Sequence, residues 1–415
     1  MRSSGKRVHF PVEHCLEWRH WVTPKILKSQ PIHRWFWFPH SFTGELVHTL
    51  IDEWGLDERD RILDPFVGAG TTLLAARDRQ VPANGYDLLP LAVLCSRAKL
   101  CRPDLDALKK SRRRLSRSLR RDKWPIAKRT YPDLVRNALP GRLLDAFDFA
   151  SHQIALLDCG KAEKDILRLA VLGTIPLFSR AEASGGWLKW VTKRISADSI
   201  ANALDKRIAV MLEDLKCIKN KKATFCRVAV ADARYLPAKS RNYSAVICSP
   251  PYPNRHDYTR VFGVELMFDF YSWSETRRLR YQTFHSHPEA KPDRPKATGY
   301  QMPGRLVRAV KEVERKESDP RVLEMLKGYF LDMYLCLREM RRVTRAHSPI
   351  ALVLGNAQFC GVKIPVDELT AEIGEQIGLR CHEIRVVRYR GNSAQQMKEF
   401  GRTPSRESVV IFERL

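Results

Sequence analysis

Apolar positions along this chain alternate between two patterns. Short apolar runs closed by turn residues read as buried strands: Arg61-Ile62-Leu63 before Asp64-Pro65, Ala83 to Asp87, Phe225 to Val230, Tyr243 to Cys248, Pro349 to Gly355, and Ser408 to Phe412. Between them the spacing turns helical. Leu46, Leu50 and Trp54 share one face, with Gly55 as C-cap. Thr71 to Ala76, Leu91 to Leu100, and Val261 to Tyr271 have helical character, and Leu204, Ile208, Met211 and Leu215 repeat at helical spacing. Leu326, Phe330, Met333, Leu337 and Met340 define a strong amphipathic helix, and Val366 to Ile377 another, capped by Gly378. Strands alternating with helices predict an α/β protein with a mostly parallel sheet. In such sheets ligands bind at the carboxyl ends of the strands.

Two stretches interrupt the alternation. From Cys101 to Lys222 the chain is basic: Lys and Arg outnumber Asp and Glu twelve to three between Cys101 and Thr130. Leu105, Leu108, Leu115 and Leu119 keep a helical face there, so Arg112-Arg113-Arg114 lie on a basic amphipathic helix. That helix face is either solvated or in contact with phosphates. Ser184-Gly185-Gly186-Trp187 reads as a flexible break inside this region. The second stretch, Glu275 to Pro320, is rich in His, Pro and Arg, poorly periodic, and suited to a surface excursion over a site. The expected organisation is residues 1–100 as an arm and the first half of a core, 101–222 as a helical insertion, and 223–415 as the second half, with the excursion at about 275–320.

A core of ordinary size fits within 415 residues that are 44% hydrophobic. The net charge of +25 sets the chain apart, because such a field attracts polyanions, nucleic acid foremost. Ten cysteines without a CxxC pair indicate neither a zinc ribbon nor a disulfide framework, and His and Cys show no ligand spacing, so no metal is expected. Without a signal peptide or an apolar run long enough to cross a bilayer, the expected location is the cytoplasm.

Two loops carry the chemistry. The first is Asp64-Pro65-Phe66-Val67-Gly68-Ala69-Gly70-Thr71-Thr72, a glycine turn between strand and helix whose backbone a ligand can approach. It lacks the full dinucleotide spacing. Asp87, nearly twenty residues on, is either a helix cap or an acceptor for both hydroxyls of a ribose. The second loop is Ser249-Pro250-Pro251-Tyr252, directly after an apolar run. Two prolines stiffen the backbone and leave its carbonyls free to accept. A site that accepts both hydrogens of an exocyclic amino group, on the Pro250 carbonyl and Ser249 Oγ, favours a tetrahedral nitrogen and frees its lone pair. Tyr252 can stack on a base flipped from its helix. Cys248 reads as core packing. The aromatic run from Trp35 to Phe42 plugs the core or walls a pocket.

These residues resemble the S-adenosylmethionine-dependent DNA amino-methyltransferases, especially those acting on cytosine N4. DPFVGAGTT resembles their cofactor loop and SPPY their catalytic loop; the aromatic stretch through Phe38 and Phe42 resembles the motif at the methionine end of the cofactor. The match runs from about Trp35 to the closing RESVVIF. The resemblance implies a Rossmann-like methyltransferase fold, a mostly parallel seven-stranded sheet with helices on both faces. It implies S-adenosylmethionine held by Phe38, Phe42, Asp64, Phe66, Gly68, Gly70, Thr71, Thr72, Asp87 and Asp232, with Asp232 near the adenine amino group. Ser249, Pro250, Pro251 and Tyr252 would be catalytic on double-stranded DNA with its target base flipped out, and a cognate restriction endonuclease would be the partner in the cell. Target recognition then falls in one of the two interrupting stretches. Arg112, Arg113, Arg114, Arg255 and His256 are candidate nucleic-acid contacts, although Asp257 allows a merely salt-bridged turn. Adenine N6, RNA, and a binding protein without activity are the rival readings; adenine enzymes more often carry Asp or Asn where this chain has Ser249.

Overall fold

Ile62, Leu63 and Asp64 are all buried, which no half-exposed edge strand would be, and they form the middle of the sheet. The structure is a computed structural model that describes residues 10–120, 124–127, 129–193, 195–218, 224–317, 319–391, 401 and 404–415. Its main sheet contains β1 (Val12–His14), β2 (Ile62–Asp64), β3 (Ala83–Asp87), β4 (Cys226–Val230), β5 (Ala245–Cys248), β6 (Pro349–Gly355), β7 (Leu379–Arg390) and β8 (Ser405–Arg414), in spatial order β1-β7-β8-β6-β5-β2-β3-β4. Strands β4, β3, β2, β5 and β6 are parallel, β8 runs antiparallel to both its neighbours, and β1 pairs parallel with β7.

From β2 the chain steps outward to β3 and β4 on one side and returns to β5 on the other. The crevice beyond the carboxyl ends of β2 and β5 is therefore a topological switch point, the standard ligand position in such sheets. Both motif loops begin there. Alternate side chains of the central strands feed opposite layers. Leu63, Val246, Ile350 and Leu352 pack with helix Pro320–Val343 and helix Val366–Glu375. Ile62, Ala245, Ile247 and Ala351 pack with helix Gly44–Glu53 and helix Thr71–Asp78.

The insertion is helical, as expected. Helices Leu105–Leu119, Asp133–Ala138, Arg142–Ala155, Lys161–Phe178 and Ser199–Ile218 form a layer whose core is continuous with Trp35, Phe36 and Phe38 of the aromatic arm. Asp214 is the fastener: buried, it accepts from the Ile32 N–H at 2.8 Å, Trp35 Nε1 at 2.9 Å and the Arg34 guanidinium.

Several expectations need correction. The sheet has eight strands, not seven, because Val12–His14 of the arm extends it. Leu379–Arg390 escaped the pattern reading. Its register slips between Cys381 and Glu383 and again between Val386 and Arg388, so the period of two breaks twice, among interleaved charges. Ser184-Gly185-Gly186-Trp187 is no flexible break but the turn of a two-stranded hairpin, Ala181–Ser184 with Trp187–Trp190. The stretch from Val261 to Tyr271 is two helices, Tyr258–Val261 and Gly263–Asp269. In the 275–320 stretch, expected as a surface excursion, helices Trp273–Gln282 and Gly304–Glu314 flank an irregular run.

Candidate active site

At the switch point a cleft of about 1000 Å³, partly open to solvent, is walled by the arm, both motif loops and the run after helix Trp273–Gln282. The glycine loop lies on one side. Gly70 has φ +85°, a left-handed conformation that turns the chain into helix Thr71–Asp78; a Cβ there would sit 2.9 Å from Ser96 Oγ and 3.2 Å from Ser96 Cα. Ser96 Oγ in turn donates to the Gly68 carbonyl at 3.0 Å. Behind the loop Lys99, fully buried, donates from Nζ to the carbonyls of Phe36 (3.0 Å) and Ala69 (3.2 Å), locking arm and loop together. Nothing in the sequence pattern marked this lysine; its helix reads as ordinary core.

Asp87 turns out to be a brace. Its two carboxylate oxygens accept from the Gly68 N–H at 3.0 Å and the Leu89 N–H at 2.9 Å, so it fixes the loop while lining the cleft. Asp64 caps Phe66 N–H at 3.0 Å. Burial pushes the Asp64 carboxyl up to about 7 and that of Asp87 up to about 6. Neither forms an ion pair with a described residue. A ligand bearing hydroxyl donors and positive charge fits a buried and a half-buried acceptor of this kind, and beside the left-handed Gly68 (φ +46°) a Cβ would meet only the Phe66 carbonyl, at 3.8 Å, leaving room for close approach. Phe38, Phe42, Phe66 and Thr71 also line the cleft. Gly70 and Thr72 lie behind it: Thr72 is buried and donates to the Ile247 carbonyl at 3.3 Å. Asp232 reaches the cleft but is held by Arg234 at 2.6 Å, and Arg234 also pairs with buried Asp332 at 3.1 Å.

Ser249 and Pro251 form the facing wall, whereas Pro250 between them is buried and is not part of the lining. Ser249 Oγ donates to the Val353 carbonyl on β6 at 3.2 Å. Tyr252 does not face the cleft: its hydroxyl donates to Glu407 Oε1 at 3.1 Å and its ring packs on Gly355, where a Cβ would meet it at 2.8 Å. Aromatic lining comes instead from Tyr258, Phe284 and the histidines His40, His256 and His287, which the sequence reading did not single out apart from His256. His256 and His40 stack edge-on at 4.6 Å, and burial lowers both, to about 4 and about 3. Both are therefore neutral at ordinary pH. Among the described residues, His256 Nε2 is buried with no hydrogen-bond partner.

The other basic candidates are not gathered at the cleft. Arg112 pairs with Asp205 of helix Ser199–Ile218 at 2.8 Å, while Arg113 and Arg114 are exposed. Arg255 pairs with Glu317 at 2.8 Å and lies over Phe359. Asp257 does cap its turn, accepting from Thr259 and Arg260 N–H and pairing with Arg280 at 2.9 Å. Among the described residues no group of three or more His, Cys, Asp or Glu could hold a metal ion, and no helix is long and apolar enough to cross a membrane.

Strand order, glycine loop, braced acid and the facing wall of Ser249 and Pro251 form the fold and cleft expected of the S-adenosylmethionine-dependent methyltransferases. No family model matches the chain. Over its whole length it is related to Type II methyltransferases: it is 27% identical to M.BsoBI of Geobacillus stearothermophilus across 471 aligned positions, covering 100% of this chain and 92% of that one. It is 28% identical to M.AvaI of Nostoc sp., covering 93% and 87%. Among solved structures, a geranyl diphosphate methyltransferase in complex with GPP and sinefungin aligns at a TM-score of 0.34 and 7% identity, over 99% of this chain and 90% of that one, too remote to bear on function.

Proposed function

We propose that this protein is a site-specific DNA methyltransferase that moves a methyl group from S-adenosylmethionine to N4 of cytosine in double-stranded DNA, as the modifying member of a restriction-modification pair. The observation that carries the reading is the state of Ser249. Its hydroxyl lines the cleft within hydrogen-bond reach of the Val353 carbonyl and of the Tyr252 side chain, and its oxygen keeps acceptor capacity. Among the described residues no backbone N–H bonds the Pro250 carbonyl beside it. Two acceptors at one strand end suit the two hydrogens of an amino group, and Ser249 suits the cytosine amine.

Asp64, Gly68, Phe66 and Asp87 would hold the cofactor, with Asp87 accepting from its ribose hydroxyls. When bound, the cofactor supplies an electrophilic methyl group on a sulfonium. Ser249 and Pro250 orient the amino nitrogen so that its lone pair is free to attack, and that nitrogen sheds one proton to solvent. Positioning supplies most of the acceleration. Exposed Arg113 and Arg114, with the rest of the positive surface, favour the phosphate backbone.

The test is to incubate the protein with unmethylated genomic DNA and labelled S-adenosylmethionine, then digest to nucleosides. N4-methylcytosine is the expected product; N6-methyladenine would move the target base, and unlabelled DNA would sink the reading. Ser249→Ala should lose most turnover while keeping cofactor affinity, and equal loss of both would contradict its role.

A further inference from the structure

Trp187 and Trp190 stand out among the tryptophans. Trp18 and Trp35 are buried, but these two, three residues apart on one short hairpin, are 59% and 53% exposed, with Trp273 of helix Trp273–Gln282 at 50%. A hairpin of four-residue strands has little core of its own to justify them. It is nonetheless firmly placed. Leu188 lies against Gly263, and the turn residue Gly186 abuts the segment that follows SPPY: a Cβ there would be 2.9 Å from the Arg255 carbonyl and 3.1 Å from His256 Cα. The hairpin tip is thus set against the outer side of the loop whose inner side, at His256, lines the cleft.

The register, with Ser184 opposite Trp187 and Ala181 opposite Trp190, puts Trp187 and Lys189 on one face and Trp190 on the other. An aromatic ring therefore projects from each side. The Arg260 guanidinium lies 4.2 Å over the Trp187 ring, and Arg260 is itself held by Asp257 at 3.3 Å and by Glu289. Arg180 and Lys189 are exposed on the hairpin, and Arg277 and Arg278 on helix Trp273–Gln282, which Glu289 links to this edge through Arg280.

We propose that this hairpin is a wedge for duplex DNA, with Trp187 and Trp190 stacking on the bases that flank the target as it leaves the helix. This deepens, and rests on, the DNA methyltransferase reading. Flat apolar rings with Lys189, Arg260, Arg277 and Arg278 nearby suit bases and phosphates, although Glu182 and Glu289 share the setting, since a base offers a π-face whatever its sequence. Side chains inserted between base steps lower the cost of unstacking next to them. The hairpin tip abuts the segment after SPPY at Arg255 and His256, which favours duplex DNA at the cleft over a partner elsewhere.

The experiment compares the full-length protein with Trp187→Ala, Trp190→Ala and Trp187→Phe. Label transfer from S-adenosylmethionine to unmethylated genomic duplex DNA gives kcat and the KM for DNA, and equilibrium dialysis gives cofactor affinity. Each Ala variant is expected to raise the DNA KM about tenfold or more, with cofactor affinity unchanged, and Trp187→Phe to recover most of the loss. Wild-type KM in both Ala variants would overturn the proposal. So would loss of cofactor binding along with transfer, because an exposed wedge has no part in the cofactor pocket. If the wild-type protein labels no DNA at all, the methyltransferase reading itself fails, and the wedge with it.

Discussion

Gly70→Ala is the sharpest probe of how the cofactor loop is built. Three costs add at this position. An alanine in the left-handed conformation that Gly70 adopts (φ +85°) costs about 1–2 kcal/mol. Its Cβ would lie 2.9 Å from Ser96 Oγ and 3.1 Å from Ser96 Cβ, so the neighbouring helix Pro90–Leu100 must shift or Ser96 must change rotamer, for about 1–3 kcal/mol. Moving Ser96 Oγ breaks its 3.0 Å bond to the Gly68 carbonyl, for about 1 kcal/mol. The expected total is about 3–6 kcal/mol if these terms act together, the low end if the helix relaxes. A loop displaced in this way should also bind S-adenosylmethionine at least about tenfold more weakly, roughly 1.4 kcal/mol.

Thermal denaturation and titration calorimetry with the cofactor would measure both effects, in a cycle with Ser96→Gly. Alone, Ser96→Gly loses the Gly68 bond and pays for a helical glycine, about 2 kcal/mol in all. On top of Gly70→Ala it should cost much less, since the bond is already gone and the crowding is relieved. Additive effects, or a Gly70→Ala protein with native stability and affinity, would refute the account of this loop.

Three further outcomes are expected. Burial raises Asp64 to about 7 and Asp87 to about 6, from ordinary carboxylate values, so the fold binds more protons than the unfolded chain between pH 3.8 and 7 and is destabilised as pH rises through that window. Affinity for a positively charged cofactor should instead rise from pH 6 to 8, and Asp64→Asn should flatten most of that slope in calorimetry; an unchanged slope would exclude Asp64 as its source. Asp214→Ala leaves the buried Ile32 N–H and Trp35 indole N–H without this acceptor and should cost about 3 kcal/mol in denaturation, so a native melting curve would show that the arm is held elsewhere. Arg113→Ala and Arg114→Ala should each reduce the slope of log affinity for DNA against log salt by about one, whereas Arg112→Ala, which breaks the Asp205 pair, should leave it unchanged; the reverse pattern would assign the phosphate contact wrongly.

What the pattern of residues revealed, and what it concealed, divides along physical lines. Strands buried on both faces, such as Ile62–Asp64 and Pro349–Gly355, declare themselves as apolar runs, and the loops at their ends follow from composition alone. Most of the residues expected around a cofactor do share one cleft. Leu379–Arg390 was illegible because two bulges shift its alternation, and Val12–His14 because three exposed residues carry no period at all. Side-chain direction was the other blind spot. Sequence shows that Tyr252 follows Pro251, but not that Glu407, more than a hundred and fifty residues later, draws its hydroxyl away from the cleft. Nor could it show that Lys99, one more positive charge in a basic chain, is buried where two carbonyls need donors.

The position of Ser405–Arg414 bears on the order of assembly. It is the last of the eight strands to be synthesised, yet it lies inside the sheet, between Pro349–Gly355 and Leu379–Arg390. Until it emerges from the ribosome, the edge of Pro349–Gly355 has no partner, and Leu379–Arg390, with Val12–His14 paired to it, has nothing to join. Glu407, the anchor of Tyr252, travels on the same strand. A nascent chain carrying both motif loops is therefore still without a finished cleft. The sheet beside the catalytic loop is completed only when this strand slots into place.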